Sequence, residues 1–546
     1  MRYVTPYWLI CLAVVCLWRA SGLATEASAP DTLPSPPSFV PQLIGDSASF
    51  EGCRIDSIVV ETRNVFNTAD PKYNNILTRT ANKLHFVSRP NVVRREILFS
   101  PGQNFSWDLA AETARNLRTR YDLYDAWVVP QRLPSGGLLL RVITQDQWSL
   151  LVGARIKRDA NLLDYQFSIE DRNLIGLNQF LSFDYHAQED HENFVVASFR
   201  DQRILGRPYS FEISSSSKPT DLYTRIGLSR PYYSLSQSLS YGVQWEDDGG
   251  RIDYYFDSAK VADAHLDGDR FEFTTHYRWG SYRRKIGVLG GYQYQYRRFF
   301  DKTGTGIVFP KDSLYHMIYA GGSMENIVYR QVRQVNGFSY VEDVTLGESF
   351  QLRYGRAFKA RMAGYLFDQV SGDATSGFLV NRNLFLGSVD GSVWFRGTSQ
   401  FRRSVGVSAK YYNTSLRFMT VATRLSYRYD SGADNLEPLN LGGANGVRGY
   451  NLFYLTGNRL ALANLELRFF PNVEILSVMF GAAVFGDIGR TWKDRDRGGK
   501  VGTAGSFGLG LRISPEKASK LDILRVDLSR TRDSRWEFSF GTGQYF

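Results

Sequence analysis

Residues Leu441-Gly442-Gly443-Ala444-Asn445-Gly446-Val447-Arg448-Gly449-Tyr450 place one arginine among four glycines, between two runs of alternating polarity. Successive side chains of a β-strand point to opposite faces, so each run would present one apolar and one polar face. In the run before this stretch, the two sets are Met419, Val421, Leu425, Tyr427 and Tyr429 against Arg424, Ser426 and Arg428. In the run after it, they are Ala461, Ala463, Leu465, Leu467 and Phe469 against Asn464, Glu466 and Arg468. The pattern is typical of membrane-barrel strands, with lipid on one face and a polar interior on the other.

The connection between these two runs carries a charge that needs a partner. Its glycines let the backbone turn at positive φ and lie close against another surface. An arginine held there would pair with a carboxylate, and the following strands offer Glu466 and Asp487. The alternative is that Arg448 is an exposed turn residue. A nucleotide-binding loop is excluded, because the glycines do not follow the G-x-G-x-x-G spacing and no helix comes after them.

Two motifs resemble those of the BamA/TamA superfamily of outer-membrane barrels (surface antigen D-fifteen type). Val447-Arg448-Gly449-Tyr450 resembles the VRG(F/Y) motif of the sixth extracellular loop, and Phe485-Gly486-Asp487-Ile488-Gly489 resembles the F-x-D-x-G strand motif. In that family the loop folds back into the barrel lumen and its arginine pairs with acids on the next strands. The resemblance therefore implies that Val447, Arg448, Gly449 and Tyr450 anchor the loop in the lumen, with Glu466 and Asp487 as partners.

The composition agrees with a β-rich membrane protein. The chain has 546 residues, 49 glycines and 14% aromatic residues. After the N-terminal segment, no apolar run reaches the roughly 20 residues of a transmembrane helix. The net charge is +10, but arginines and lysines are dispersed along the predicted strands, so no nucleic-acid partner is expected.

The N-terminus has the features of a secretory signal peptide, which we place at residues 1–24. Arg2 precedes an apolar core from Trp8 to Trp18, and small residues follow. Residues 25–48 form a Pro/Ala/Ser-rich linker. Cys53 would be the only cysteine of the mature chain, so no internal disulfide is expected.

Residues 49–148 are predicted to form a small α/β unit. The predicted elements are a strand at 55–60, helices at 92–99 and 107–121, and strands at 126–133 and 138–145, with an insertion at 62–89. This β-α-α-β-β order resembles a POTRA domain, the periplasmic module of the same superfamily. There is room for one such domain. Two roles are open for this domain. Its sheet edge accepts an extended partner strand, or the domain is only a spacer or docking point.

Residues 149–546 are predicted to form an antiparallel transmembrane β-barrel of roughly sixteen strands, at about 25 residues for each strand with its connection. Stretches 247–269 and 298–313 are interpreted as long outer loops. Trp536, Phe538, Phe540 and Phe546 resemble a barrel-closing signal on the last strand, which Gly541 and Gly543 weaken. The weak seam between first and last strands is either a lateral opening or a frayed end.

No enzymatic site, metal or cofactor is expected. His186 and His191 lie with Asp184, Glu189 and nearby acids at a predicted outer hairpin, where a solvated acidic tip is much commoner than a cation site. The other histidines have no nucleophile context.

The resemblance implies an assembly, insertion or translocation factor in the outer membrane of a Gram-negative bacterium, with the POTRA domain in the periplasm. Its partners would be unfolded outer-membrane or secreted protein clients, the lipid bilayer and a periplasmic protein at the POTRA domain. The alternatives are a dedicated secretion pore of the two-partner type and a passive channel.

Overall fold

The computed structural model describes residues 50–120, 123–159, 162–188, 193–217, 223–256, 259–304, 309–359, 364–432, 438–443, 446–475, 477–494, 501–515, 517 and 523–546. The predicted signal peptide (1–24) and linker (25–48) lie outside these residues. Within the described residues, no helix is both long and apolar enough to cross a membrane.

The first unit is a three-stranded sheet with three helices. Its strands are β1 (Ile55–Arg63), β2 (Asp125–Arg132) and β3 (Leu138–Gln145), and its helices are α1 (Ile76–Leu84), α2 (Pro90–Arg94) and α3 (Trp107–Arg120). The central β3 pairs in parallel with β1 and antiparallel with β2. Ile55, Leu117, Leu140 and Val142 are buried between sheet and helices.

Two details of this unit differ from the prediction. The insertion at 62–89 contains helix α1, which begins at a capping box between Asn75 and Thr78. The helix predicted at 92–99 begins at Pro90 and ends at Arg94, because the following Ile97 and Phe99 pack into the sheet core instead.

The rest of the chain is almost entirely strand. The elements are β4 (Leu150–Asp159), β5 (Leu162–Asp171), β6 (Gln179–Gln188), β7 (Phe194–Asp201), β8 (Ser210–Ser216), β9 (Tyr223–Arg230), β10 (Leu239–Asp248), β11 (Gly250–Phe256), β12 (Ala259–Gly280), β13 (Arg284–Thr303), β14 (Ser313–Val332), β15 (Glu342–Phe358), β16 (Tyr365–Val380), β17 (Asn383–Arg396), β18 (Ser399–Leu416), β19 (Met419–Asp430), β20 (Leu439–Leu441), β21 (Leu455–Gly457), β22 (Arg459–Ile475), β23 (Val478–Trp492), β24 (Gly502–Ser514), β25 (Leu524–Thr531) and β26 (Trp536–Thr542). All except β20 and β21 belong to one large antiparallel sheet whose strand order is circular, with β26 beside β4. The mainly β, antiparallel fold class is confirmed.

The sheet has more strands than the roughly sixteen predicted: 21 strands take part in it. The stretch 247–269, interpreted as a long outer loop, is a tall hairpin in which β11 pairs with β12. Its charges pair across the strands, with Arg251 to Asp263 and Lys260 to Asp253 both at 2.8 Å. The prediction failed because cross-strand ion pairs let a strongly charged segment remain extended in water.

The predicted alternation of faces is present around the central loop. On β22, Leu465 faces outward and is half-exposed, whereas Asn464, Glu466 and Arg468 are buried on the inner face. The outward row continues on β24 with the exposed Leu509. An apolar outer surface and a polar inner surface follow, as a barrel in lipid requires.

The α/β unit packs against one end of the barrel. Arg118 of α3 binds both carboxylate oxygens of Asp343 on β15 at 2.7 Å. Asn116 donates to the carbonyl of Tyr233, in the β9–β10 turn, at 2.8 Å. On the other side of the unit, Lys72 binds Glu474 at the end of β22 at 2.5 Å. Because these partners come from widely separated strands, the unit extends across the barrel mouth.

Candidate functional site

The loop between β19 and β22 is folded against the inner wall of the barrel. Its ends form the short β20–β21 ladder, and Ala444 and Asn445 lie outside the described residues. Val447 is fully buried in an apolar cluster with Leu441, Leu455 and Leu462. The Tyr450 hydroxyl donates to the carbonyl of Gly505 on β24 at 3.0 Å. Apolar packing and a wall contact therefore hold the loop on both sides of Arg448.

Arg448 is the polar centre of this loop. Its guanidinium donates to both oxygens of Asp487 on β23, with Nε to Oδ2 at 2.7 Å and Nη2 to Oδ1 at 2.8 Å. Nη1 donates to Glu466 Oε1 on β22 at 2.5 Å. The Arg448 side chain is 1% exposed, which excludes the solvent-exposed turn considered above. Such bidentate, charge-assisted bonds fix orientation as well as position.

Two aromatic rings enclose the same guanidinium. Its central carbon lies 3.5 Å from the ring centre of Phe485 and 4.1 Å from that of Tyr545. The π-faces attract the cation and exclude water from its ion pairs. Phe485 belongs to the F-x-D-x-G motif, so that motif supplies both the carboxylate and one aromatic face.

The ion-pair network is larger than the sequence analysis indicated. Glu466 also accepts from Arg468 at 2.8 Å and from Arg512 at 3.3 Å. Arg512 in turn binds Asp527 on β25 at 2.6 Å. Arg468, Arg512 and Asp527 were missed because each occupies an ordinary inward position on its strand. Only the strand pairing β22–β23–β24–β25 brings them together.

Gly449 explains part of the motif. Its φ is +82°, and a Cβ built there would lie 2.5 Å from the Ser529 hydroxyl oxygen and 3.0 Å from Thr531 on β25. Any other residue at this position would therefore have a strained backbone and a side chain that clashes with β25. Glycine lets the turn after Arg448 press against the wall.

The C-terminal residues do not continue the last strand. Trp536, Phe538 and Phe540 lie on β26 and face outward, with Phe538 67% exposed. Phe546, grouped with these residues as the terminal aromatic of the barrel-closing signal, does not lie on this strand. β26 ends at Thr542, Gly543 has a φ of +74°, and Phe546 is buried in a cluster with Tyr412 and Leu384.

This inward tail, residues 543–546, contacts the loop directly. The Tyr545 hydroxyl donates to the carbonyl of Gly443 at 2.7 Å and accepts from the Gly446 N–H at 3.2 Å. Arg468 donates to the main-chain oxygen of Phe546 at 2.9 Å. The tail thus covers the Arg448 network from the side of the lumen.

A third segment enters from the end occupied by the α/β unit. The β14–β15 turn, residues 333–341, buries Val335 and Phe338. The Val335 carbonyl accepts from Arg468 at 2.6 Å, and the Phe338 ring packs edge-on against Phe470 at 5.0 Å. Loop, tail and turn therefore meet over the inner face of β22–β25.

The predicted acidic hairpin is only partly described. His186 stacks on Phe194 with ring centres 4.6 Å apart, and Asp184 accepts from Gln166 at 3.2 Å. Glu189 and His191 lie outside the described residues. Among the residues that the structure describes, no group of three or more His, Cys, Asp or Glu side chains gathers as metal ligands would.

Comparison with known proteins finds similar structures but no similar sequence. No protein-family model and no curated protein matches the chain significantly. A BamA structure from Haemophilus ducreyi lacking POTRA domains 1–3 is 13% identical, with coverage of 90% of this chain and 84% of that one and a TM-score of 0.38. CdiB from Acinetobacter baumannii is 13% identical over 90% of this chain and 73% of that one, with a TM-score of 0.44. CdiB from Escherichia coli is 13% identical over 98% and 95% of the two chains, with a TM-score of 0.41.

Proposed function

We propose that this chain is an outer-membrane assembly, insertion or translocation factor of the BamA/TamA type, with residues 49–148 acting as a single periplasmic POTRA domain. The observation that carries the proposal is the burial of the Arg448 loop against Asp487 and Glu466 on the inner wall of a barrel. Residues of both motifs meet at that point, with Phe485 stacked on the Arg448 guanidinium. The role needs no catalytic group, cofactor or metal.

The physical task of such a factor is to pair backbone groups. A client strand cannot enter hydrocarbon with unpaired N–H and C=O groups, because each would cost several kcal/mol. A strand edge at the β26–β4 seam would pair them, and the outward apolar row of β26 would keep that edge at membrane depth. Unfolded clients would approach from the periplasm past the docked α/β unit.

The contents of the barrel favour this role over a passive channel. Loop, tail and turn cover the inner face of β22–β25, and the α/β unit binds across the mouth through the buried Arg118–Asp343 pair. A passive channel would need these contacts to leave an open path through the lumen.

The test is the folding of an unfolded outer-membrane barrel into liposomes that contain this protein or its Arg448→Ala variant. We expect the wild-type protein to accelerate folding and the variant to lose most of that acceleration. Leu509→Ala, on the outward row of β24 and away from the β26–β4 seam, is the matched control and should behave like wild type. Absence of acceleration together with stable single-channel conductance would contradict the proposal and favour a dedicated secretion pore or a passive channel.

A further inference from the structure

Helix α1, within the insertion at 62–89, exposes an unusual amount of apolar surface. Ile76, Leu77, Leu84 and Phe86 are between 59% and 79% exposed. We call these four residues the α1 patch. At 100° per residue, positions 76, 77 and 84 lie within one face of the helix.

The opposite face of α1 is firmly attached to the α/β unit. Thr78 and His85 are buried, and His85 binds Asp146 at 2.9 Å. The Asn82 side chain donates to the Phe66 carbonyl at 2.8 Å and accepts from the Phe66 N–H at 3.0 Å. The α1 patch is therefore held outward in a fixed orientation by the buried face.

The contacts that flank α1 place it at the edge of the barrel. Before the helix, Lys72 binds Glu474 at the end of β22. After it, the Phe86 carbonyl accepts from Asn173 at 3.1 Å, and the Arg89 N–H donates to Gly176 at 3.0 Å in the β5–β6 turn. Those two barrel ends lie on either side of the β26–β4 seam in the strand order.

The barrel residues beside these attachment points also expose apolar side chains. Ile475 and Val473 at the end of β22 are 58% and 45% exposed, and Ile175 in the β5–β6 turn is also exposed. The α1 patch is thus attached at the barrel end that carries these exposed apolar side chains. Water-exposed surface of this kind is costly unless another apolar phase covers it.

The basic residues of α1 indicate that this apolar phase is lipid. The α1 sequence Ile76–Leu84 contains Arg79 and Lys83 and no acidic residue, and both side chains are exposed. An apolar face bordered by basic residues is the pattern of helices that lie in a lipid interface, where the cations meet anionic headgroups.

We infer that the α1 patch inserts into the periplasmic leaflet of the membrane beside the β26–β4 seam, with Arg79 and Lys83 contacting anionic phospholipid headgroups. The inference depends on the proposed placement of the barrel in a membrane, but not on any action upon clients. A helix wedged there would disturb lipid packing next to the seam.

The test uses nitroxide spin labels on single cysteines, in full-length protein with Cys11, Cys16 and Cys53 changed to serine, reconstituted in phospholipid nanodiscs. Labels at Leu77→Cys and Leu84→Cys report the patch. Ser135→Cys is the water control, because Ser135 is exposed in the β2–β3 turn, at the opposite end of β3 from Gln145, after which the chain enters the barrel. Leu509→Cys, on the outward row of β24, is the lipid control.

We expect the ratio of oxygen to nickel-chelate collision rates at 77 and 84 to be several-fold above that at 135 and to approach that at 509. Adding an anionic phospholipid should raise it further, and Arg79→Ala with Lys83→Ala should remove that increase. Equal ratios at 77, 84 and 135, with a high ratio at 509, would overturn the inference and leave the barrel placement intact. A low ratio at 509 as well would overturn both.

Discussion

Replacing Arg448 by alanine should strongly destabilise the barrel, and the structure shows where the cost arises. Glu466 would keep Arg468 and Arg512 as partners. Asp487 would keep only uncharged donors among its described partners: the Asn464 amide at 2.7 Å and the N–H of residue 448 at 3.2 Å. A fully buried carboxylate without its cation typically costs about 3–5 kcal/mol of unfolding free energy.

Two variants separate lost charge from lost geometry. Arg448→Lys keeps a positive charge but loses the bidentate bond to Asp487. Its free energy of unfolding should therefore lie between those of the wild type and Arg448→Ala. Combining Arg448→Met with Asp487→Leu removes both charges, so the double variant should be more stable than the sum of the single losses predicts.

The measurement is the free energy of unfolding by urea in lipid vesicles, followed by tryptophan fluorescence. A loss below about 1 kcal/mol for Arg448→Ala would refute the reasoning, because exposed ion pairs already reach that value. Additive losses in the double variant would show that Arg448 and Asp487 are not energetically coupled.

Three further outcomes can be measured with the same protein. Gly449→Ala should lower the free energy of unfolding by about 1–3 kcal/mol, because it adds backbone strain and a clash with the wall. Gly364→Ala is the control and should cost less, because Gly364 also has a positive φ but nothing lies within 4 Å of its Cβ. Equal losses of unfolding free energy in urea would contradict the contact of Gly449 with the wall. Arg118→Ala leaves Asp343 buried without its partner. Protease cleavage of the α/β unit should therefore become several-fold faster, while the barrel stays resistant. An unchanged cleavage rate would argue against docking of the α/β unit on the barrel. Tyr545→Phe removes two hydrogen bonds to the loop and should cost about 1–3 kcal/mol; an unchanged urea midpoint would mean that the tail does not hold the loop.

The sequence predicted the strands around the central loop because a lipid face and a polar face impose a simple period of two. It also predicted the partners of Arg448, since the two motifs carry the arginine and Asp487 at positions that a family resemblance identifies. Arg512 and Asp527 carry no such signature. They become partners only through the register of β24 and β25, which periodicity alone does not specify.

The inward tail and helix α1 were missed for different reasons. Alternation along β26 suggests that the chain continues outward, and only the turn at Gly543 redirects Phe546. The helix has 9 residues, too few for a strong periodic signal among polar neighbours.

The position of the loop in the chain constrains the order of folding. The partners of Arg448 described above all follow it, Glu466 by 18 residues and Asp487 by 39, and Tyr545 comes near the end. During folding the guanidinium must therefore wait, hydrated, until the strands that carry its acids have formed. Formation of the buried Arg448 network is consequently a late step of folding, because it joins segments far apart in the chain.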